Sequence, residues 1–210
     1  MPCRVLLADD HQIVRQGLRA LLEKAGHTVV GEAADGREAC VLAHKLQPDI
    51  AVLDLAMPLL NGMDAIHEIR RVSPNTVAIL LTMYTDRAYV LQALQAGAKG
   101  YVLKTQAADD LFRAIEEVWR GAVYLSPGAA VGLVDAYLSK EEKPKEPLTA
   151  RERQILQLVA EGKTTKAISV LTGITFKTAE SHRNRIMKKL DIHQTAGLVR
   201  YAIRHGLVRP

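Results

Sequence analysis

Five polar residues, Asp9, Asp10, Asp54, Thr82 and Lys104, hold the chemistry that the front of this sequence could perform. Each follows directly on a short apolar run: Val5-Leu6-Leu7-Ala8 leads into Asp9 and Asp10, and similar runs lead into Asp54, Thr82 and Lys104. Three carboxylates brought together repel, each pair by roughly 2 to 4 kcal/mol at a few ångströms and an effective dielectric of 20. A cation resolves that repulsion, and oxygen-only ligands completed by water suit Mg²⁺ better than zinc or a softer metal. Lys104 and the Thr82 hydroxyl would add a positive charge and a hydrogen-bond donor around Asp54, which neutralises a phosphoryl group carried there. Asp54 is then the nucleophile. Taken singly, Asp9 or Asp10 reads more readily as a helix-capping residue after a strand; the five together argue against that.

A different chemistry sits near the other end. In 175–189, Lys177, Ser181, Asn184 and Lys188 recur on one helical face, opposite Ala179, Ile186 and Leu190. Such a face is usually just solvated. Here the local charge argues for more: residues 1–145 hold 16 Lys and Arg against 18 Asp and Glu, a net of −2, whereas 146–210 hold 12 against 5, a net of +7. A small basic unit behind an acidic one points to a polyanion partner.

The elements that must position these residues follow from periodicity. Apolar runs at 4–8, 28–33, 50–53, 77–81 and 100–103 alternate with segments of helical period at 12–24, 36–46, 64–71, 86–96 and 107–120. Continuous apolar runs belong to strands buried on both faces, so the first unit is expected to be a doubly wound α/β domain with a five-stranded parallel sheet. In such a sheet ligands bind beyond the carboxyl ends of the strands, where the five polar residues fall. Ser126-Pro127 predicts an N-cap and first helical residue for a helix over 127–139, and the charged, proline-bearing 140–147 predicts a joint. Beyond it, helices are expected at 150–161, 164–171, 175–189 and 193–205, a smaller all-α helix-turn-helix unit with its turn at Thr172-Gly173. The expected division is 1–121, a linker over 122–147, and 148–210.

Composition agrees with two folded domains: 210 residues, 48% of them hydrophobic, fill two cores. The apolar start is too short and too acidic for a signal peptide, and no apolar run approaches ~18 residues, so a cytoplasmic protein with no membrane partner is expected. Cys3 and Cys40 have no partner at metal-ligand spacing and read as packing residues.

At this point the residues resemble a family. Across 1–120, the segment ending Asp9-Asp10-His11, the stretch Asp54-Leu55-Ala56-Met57-Pro58-Leu59-Leu60-Asn61-Gly62, Leu80-Leu81-Thr82 and Gly100-Tyr101-Val102-Leu103-Lys104 are similar to receiver domains of two-component response regulators. Residues 148–208 resemble the LuxR-type output domain through Leu148-Thr149-Ala150-Arg151-Glu152-Arg153, Lys177-Thr178-Ala179-Glu180-Ser181-His182 and Ile186-Met187-Lys188-Lys189-Leu190. The two together are the arrangement of the NarL/FixJ family, with a flavodoxin-like receiver.

The resemblance implies Mg²⁺ held by Asp10, Asp54 and the Ala56 carbonyl, with Asp9 assisting through water, and a phosphohistidine donor on a sensor histidine kinase. It implies that Thr82 and Tyr101 form a switch pair, although Tyr101 also reads as an ordinary strand residue. Among candidate DNA contacts, Glu180, Ser181 and Asn184 would face bases, while Lys177, Thr178, Arg183, Arg185 and Lys188 would meet phosphates. The partner is then double-stranded DNA, bound by a homodimer whose contacts could come from Leu198, Tyr201 and Ile203, unless those residues simply close the bundle. Three departures stand out: Thr105 where many receivers have proline, Ala56 where an amide or acid could orient an attacking water, and Ala179 where valine is usual. Ala56 implies slow loss of the phosphoryl group.

Two other readings compete. A Mg²⁺-dependent phosphohydrolase using Asp54 as nucleophile would need a second acid two residues on, where Ala56 stands. A DNA-binding regulator indifferent to phosphorylation would have no use for the intact set of Asp9, Asp10, Asp54, Thr82 and Lys104. The expectation is a non-enzymatic, phosphorylation-switched regulator.

Overall fold

Apolar runs flanked by amphipathic segments fold here into a parallel sheet sandwiched by helices. The structure is a computed structural model that describes residues 2–85, 87–138 and 147–208. Strands β1 (Arg4–Ala8), β2 (Thr28–Ala33), β3 (Ile50–Asp54), β4 (Val77–Thr82), β5 (Gly100–Leu103) and β6 (Tyr124–Leu125) lie in the order β2-β1-β3-β4-β5-β6, and all pairings are parallel. Helices α1 (Gln12–Lys24), α2 (Gly36–Leu46), α3 (Gly62–Val72), α4 (Arg87–Ala96) and α5 (Ala107–Trp119) connect them. Alternate strand residues feed opposite faces: Leu6, Ala8, Leu53, Leu80 and Tyr101 join one core layer, and Val5, Leu7, Val52, Ile79 and Val102 the other.

The sheet has six strands, not the expected five. Tyr124–Leu125 pairs with β5 through Gly100↔Tyr124 and Tyr101↔Leu125. A two-residue strand is too short to show a period, so the apolar pattern could not reveal it. Helix α6 (Pro127–Leu138) follows, starting where Ser126-Pro127 predicted, and buries Ala129 in the core layer containing Leu103 and Tyr101. Residue 139 of the expected helix, and residues 140–146 of the expected joint, lie outside the described residues.

The second unit is helical: α7 (Ala150–Ala160), α8 (Thr165–Thr172), α9 (Phe176–Leu190) and α10 (Thr195–Arg204). Thr149 and Glu152 close a capping box at α7, and Thr164 and Thr175 cap α8 and α9. Gly173 ends α8 at φ 65°, a left-handed conformation that glycine adopts without strain and that turns the chain into α9. Ile155, Leu156, Leu158, Ile168, Ala179, Ile186, Leu198 and Ala202 form its core. Leu198 is therefore part of the bundle, whereas Tyr201 and Ile203 are only half-buried.

Candidate functional site

Strand order reverses beside β1, which lies between β2 and β3, so a crevice opens at the carboxyl ends of β1 and β3. Register does the rest: Ala8 pairs with Leu53, Asp54 with Leu81, and Thr82 with Leu103. Asp54 and Thr82 are the last residues of their strands, and Asp9 and Lys104 the first residues after theirs. Lys104 Nζ reaches Asp9 Oδ2 at 2.6 Å and Asp54 Oδ1 at 3.0 Å, with Asp9 1% and Asp54 4% exposed. One ammonium thus bridges two buried carboxylates, which makes each tolerable out of water.

Helix α1 is N-capped by His11, which makes no side-chain cap bond. Neither Asp9 nor Asp10 occupies the N-cap position, although Asp9 Oδ1 accepts from the His11 amide at 2.8 Å and so also steadies the start of the helix. His11 Nδ1 lies 3.2 Å from Asp9 Oδ1 and 3.0 Å from Asp10 Oδ1, and ligand atoms of the three residues fall within 4.8 Å of one another. Arg15 donates to the Asp9 carbonyl at 2.5 Å, fixing the loop from behind. Thr82 is fully buried and its hydroxyl accepts from the Tyr84 amide at 3.2 Å. Tyr101 is also fully buried, its hydroxyl donating to the Tyr84 carbonyl at 2.8 Å. The two expected switch residues therefore meet at one segment, the start of the loop after β4.

Ala56 lies in the loop between β3 and α3, whose geometry is tightly constrained. Gly62 admits no Cβ, since one would run into the Asp54 carbonyl, and Leu59 is held at φ 64°, unfavourable for a branched side chain by about 1–2 kcal/mol. The strain is held in place by the second domain, against whose core Leu59 packs. Gln157 of α7 donates to the Met57 carbonyl at 2.8 Å and accepts from the Asn61 amide at 2.9 Å. Glu161 accepts from the Leu59 amide at 2.9 Å, and Arg153 forks onto buried Asp64 with contacts of 2.5 to 3.3 Å. Tyr89 of α4 donates to the Arg204 carbonyl at 2.7 Å. Between the units a cleft of about 430 Å³ runs from Asp10 and Ala56 to Glu161, Ile203 and Leu207.

Sequence reasoning did not identify the residues of this contact. One signal was available: Gln157 interrupts the run Ile155-Leu156-Gln157-Leu158-Val159 and is itself fully buried.

On α9, Lys177, Thr178, Glu180, Ser181, Asn184, Arg185 and Lys188 are all exposed, while Ala179 and Ile186 face the core. Arg183 differs, being half-buried and donating to the Thr195 hydroxyl at 2.8 Å. Glu152 anchors the helix through Lys189 at 2.6 Å; burial alone would raise its carboxyl, but hydrogen bonds from Lys189 and Thr149 outweigh that and hold it below the usual range. Burial pushes the Cys40 thiol up to about 12 and raises Cys3, in keeping with packing roles. Among the described residues no helix is long and apolar enough to cross a membrane.

Known proteins match the same two units. The family described as response regulator receiver domain matches residues 5–116, and the family described as bacterial regulatory proteins, luxR family, matches 146–202. The transcriptional regulatory protein MctR of Rhizobium johnstonii is 40% identical over 207 residues, covering 98% of this chain and 95% of that one. The response regulator protein VraR of Staphylococcus aureus is 35% identical over 210 residues, covering 100% of both. Among solved structures, RcsB from Salmonella enterica serovar Typhimurium, bound to promoter P1flhDC in the presence of phosphomimetic BeF3⁻, aligns with a TM-score of 0.67 at 28% identity, covering 96% of this chain and 98% of that one. Buried carboxylates at the strand ends, an exposed basic helix behind them and these matches together establish that the chain belongs to the response regulators that join a receiver domain to a LuxR-type DNA-binding domain.

Proposed function

We propose that Asp54 is the phosphoacceptor of this regulator and that its phosphorylation acts on DNA binding through the loop joining β3 to α3. The observation that carries this is the placement of Lys104 Nζ on both Asp9 and Asp54. An Asp54 oxygen attacks the phosphorus of a phosphohistidine on a sensor histidine kinase; the new P–O bond forms as the P–N bond breaks, and the imidazole keeps the electron pair. Lys104 pairs with the charge that arrives, and the Thr82 hydroxyl, which accepts from the Tyr84 amide, can donate its proton to a phosphoryl oxygen.

Receiver domains generally bind Mg²⁺ at such an acidic pocket, and the oxygen donors here suit that hard cation. Asp9, Asp10, Asp54 and the Ala56 carbonyl would hold it. Bound there, Mg²⁺ would screen the carboxylates from one another and from the incoming phosphoryl oxygens.

Ala56 belongs to the loop that Gln157 and Glu161 grip, so a change at the pocket reaches the output domain without passing through the core. The exposed face of α9 is not covered by this contact. Phosphorylation therefore regulates by releasing α7 and the end of α10, after which two copies take the spacing that paired half-sites on double-stranded DNA demand. The protein works in the cytoplasm as a switch, not as a turnover enzyme.

Intact mass after incubation with Mg²⁺ and acetyl phosphate, followed by DNA titration, tests this with wild type and Asp54→Asn. One phosphoryl adduct on wild type only, with tighter DNA binding, is expected. An adduct that leaves DNA binding unchanged would support the phosphorylation-indifferent reading, and sustained turnover of acetyl phosphate would support the hydrolase.

A further inference from the structure

We infer that Phe176 is a specificity-determining residue of the DNA site, reading the 5-methyl group of a thymine in the major groove. The inference rests on α9 being the groove-reading helix. Phe176 is the first residue of α9 and 53% exposed, directly after the capping Thr175. It stands at i in the series Phe176, Glu180, Asn184 (i, i+4, i+8), so its side chain shares a row with two exposed residues that are candidates to face bases. Ala179 and Ile186 supply the helix's core contacts and lie about 60–80° round the helix from Phe176, which stands at the edge of the exposed face.

Folding gives no reason for a phenylalanine here. The first turn of a helix favours proline or acidic residues, and this one has no acidic residue. A phenyl ring half in water forgoes much of the burial that would repay its presence. Recognition helices contact base edges through their N-terminal residues, and the apolar feature that the major groove offers is the thymine methyl, for which phenylalanine is a fitting partner. Lys177 beside it is exposed and positioned to hold that end of the helix on a phosphate.

The test selects binding sites from a random-sequence DNA duplex library with full-length wild type, Phe176→Ala and Asn184→Ala. In wild type one T·A pair per half-site is expected to be strongly preferred, and Phe176→Ala is expected to lose that preference while keeping the rest of the motif. Replacing that thymine by deoxyuridine removes only the methyl; it should weaken wild type about fourfold, the worth of one buried methyl, and leave Phe176→Ala unaffected. The base analogue tests wild type itself, so the result does not depend on how the variant folds. An unchanged motif with Phe176→Ala but an altered one with Asn184→Ala overturns the role of Phe176 alone. No enriched motif, or one that neither substitution alters, overturns the assignment of α9 along with it.

Discussion

The pocket around Asp54 and the outer face of α9 are both charged, and they are built in opposite ways. In the pocket, Asp9, Asp54 and Thr82 are buried and the Lys104 ammonium is already in place. On α9, Lys177, Asn184 and Lys188 stand in solvent. The first region has met its desolvation cost in folding and waits for one small group. The second keeps its charges hydrated until a polyanion displaces their counterions. Substitutions in the pocket should therefore register in stability, and those on α9 in binding.

The largest effect is expected from Lys104→Met. It leaves two buried carboxylates without their shared cation, which should cost about 3–5 kcal/mol near neutral pH, and Mg²⁺ should restore part of it. Urea unfolding with and without Mg²⁺ measures both; an unchanged midpoint would show that the pocket is not locked electrostatically. Gln157→Ala should come next. It strips the Asn61 amide and the Met57 carbonyl of their partner, about 1–3 kcal/mol against the domain contact, or roughly a five- to 150-fold shift toward separated domains. Small-angle scattering should then show the unphosphorylated variant expanding as phosphorylated wild type does. Equal dimensions for variant and wild type would mean that other contacts, such as Arg153 to Asp64, suffice.

That interdomain contact also marks where the sequence stops being legible. The positions of Asp9, Asp54, Thr82 and Lys104 could be read because a parallel strand's apolar run ends where its ligand-facing residue begins, a purely local signal. The exposed face of α9 was legible for a similar reason, its period being internal to one helix. Tyr124–Leu125 was not, since two residues carry no period and their strand exists only because β5 offers a free edge. Nor was the pairing of Gln157 with Met57 and Asn61, about a hundred residues apart: a glutamine in an apolar run announces a buried polar group without naming its partner.

On α9 the effects are smaller and fall on binding. Lys188→Ala should weaken binding to every DNA sequence alike and lower the salt slope by about one, the counterions of a single phosphate. Asn184→Ala should change which sequences are preferred while leaving the slope intact. Titrations across salt concentrations on two unrelated duplexes separate these, and a loss from Lys188→Ala confined to one duplex would make it a base reader.

The smallest effect expected is a dependence on pH at His182, a half-buried polar residue of α9. Its Nδ1 is buried and finds no hydrogen-bond partner among the described residues, and burial, followed by the charges of Arg185 and Arg151, lowers its pKa, against a smaller pull upward from Glu152. An unfolded imidazole takes up its proton as pH falls through about 6.5, while the folded one resists. The unfolded state then binds more protons, so this contribution to stability is present above that value and is lost as pH falls through the lower, folded value. His27 is shifted the same way by its own burial, so the two must be separated by substitution. His182→Gln should fall less in urea midpoint than wild type between about pH 7.5 and 5.5. Parallel pH profiles for the two proteins would mean that the His182 ring is as solvated as its exposed neighbours, and the contrast between a buried pocket and a hydrated helix would then hold along all of α9.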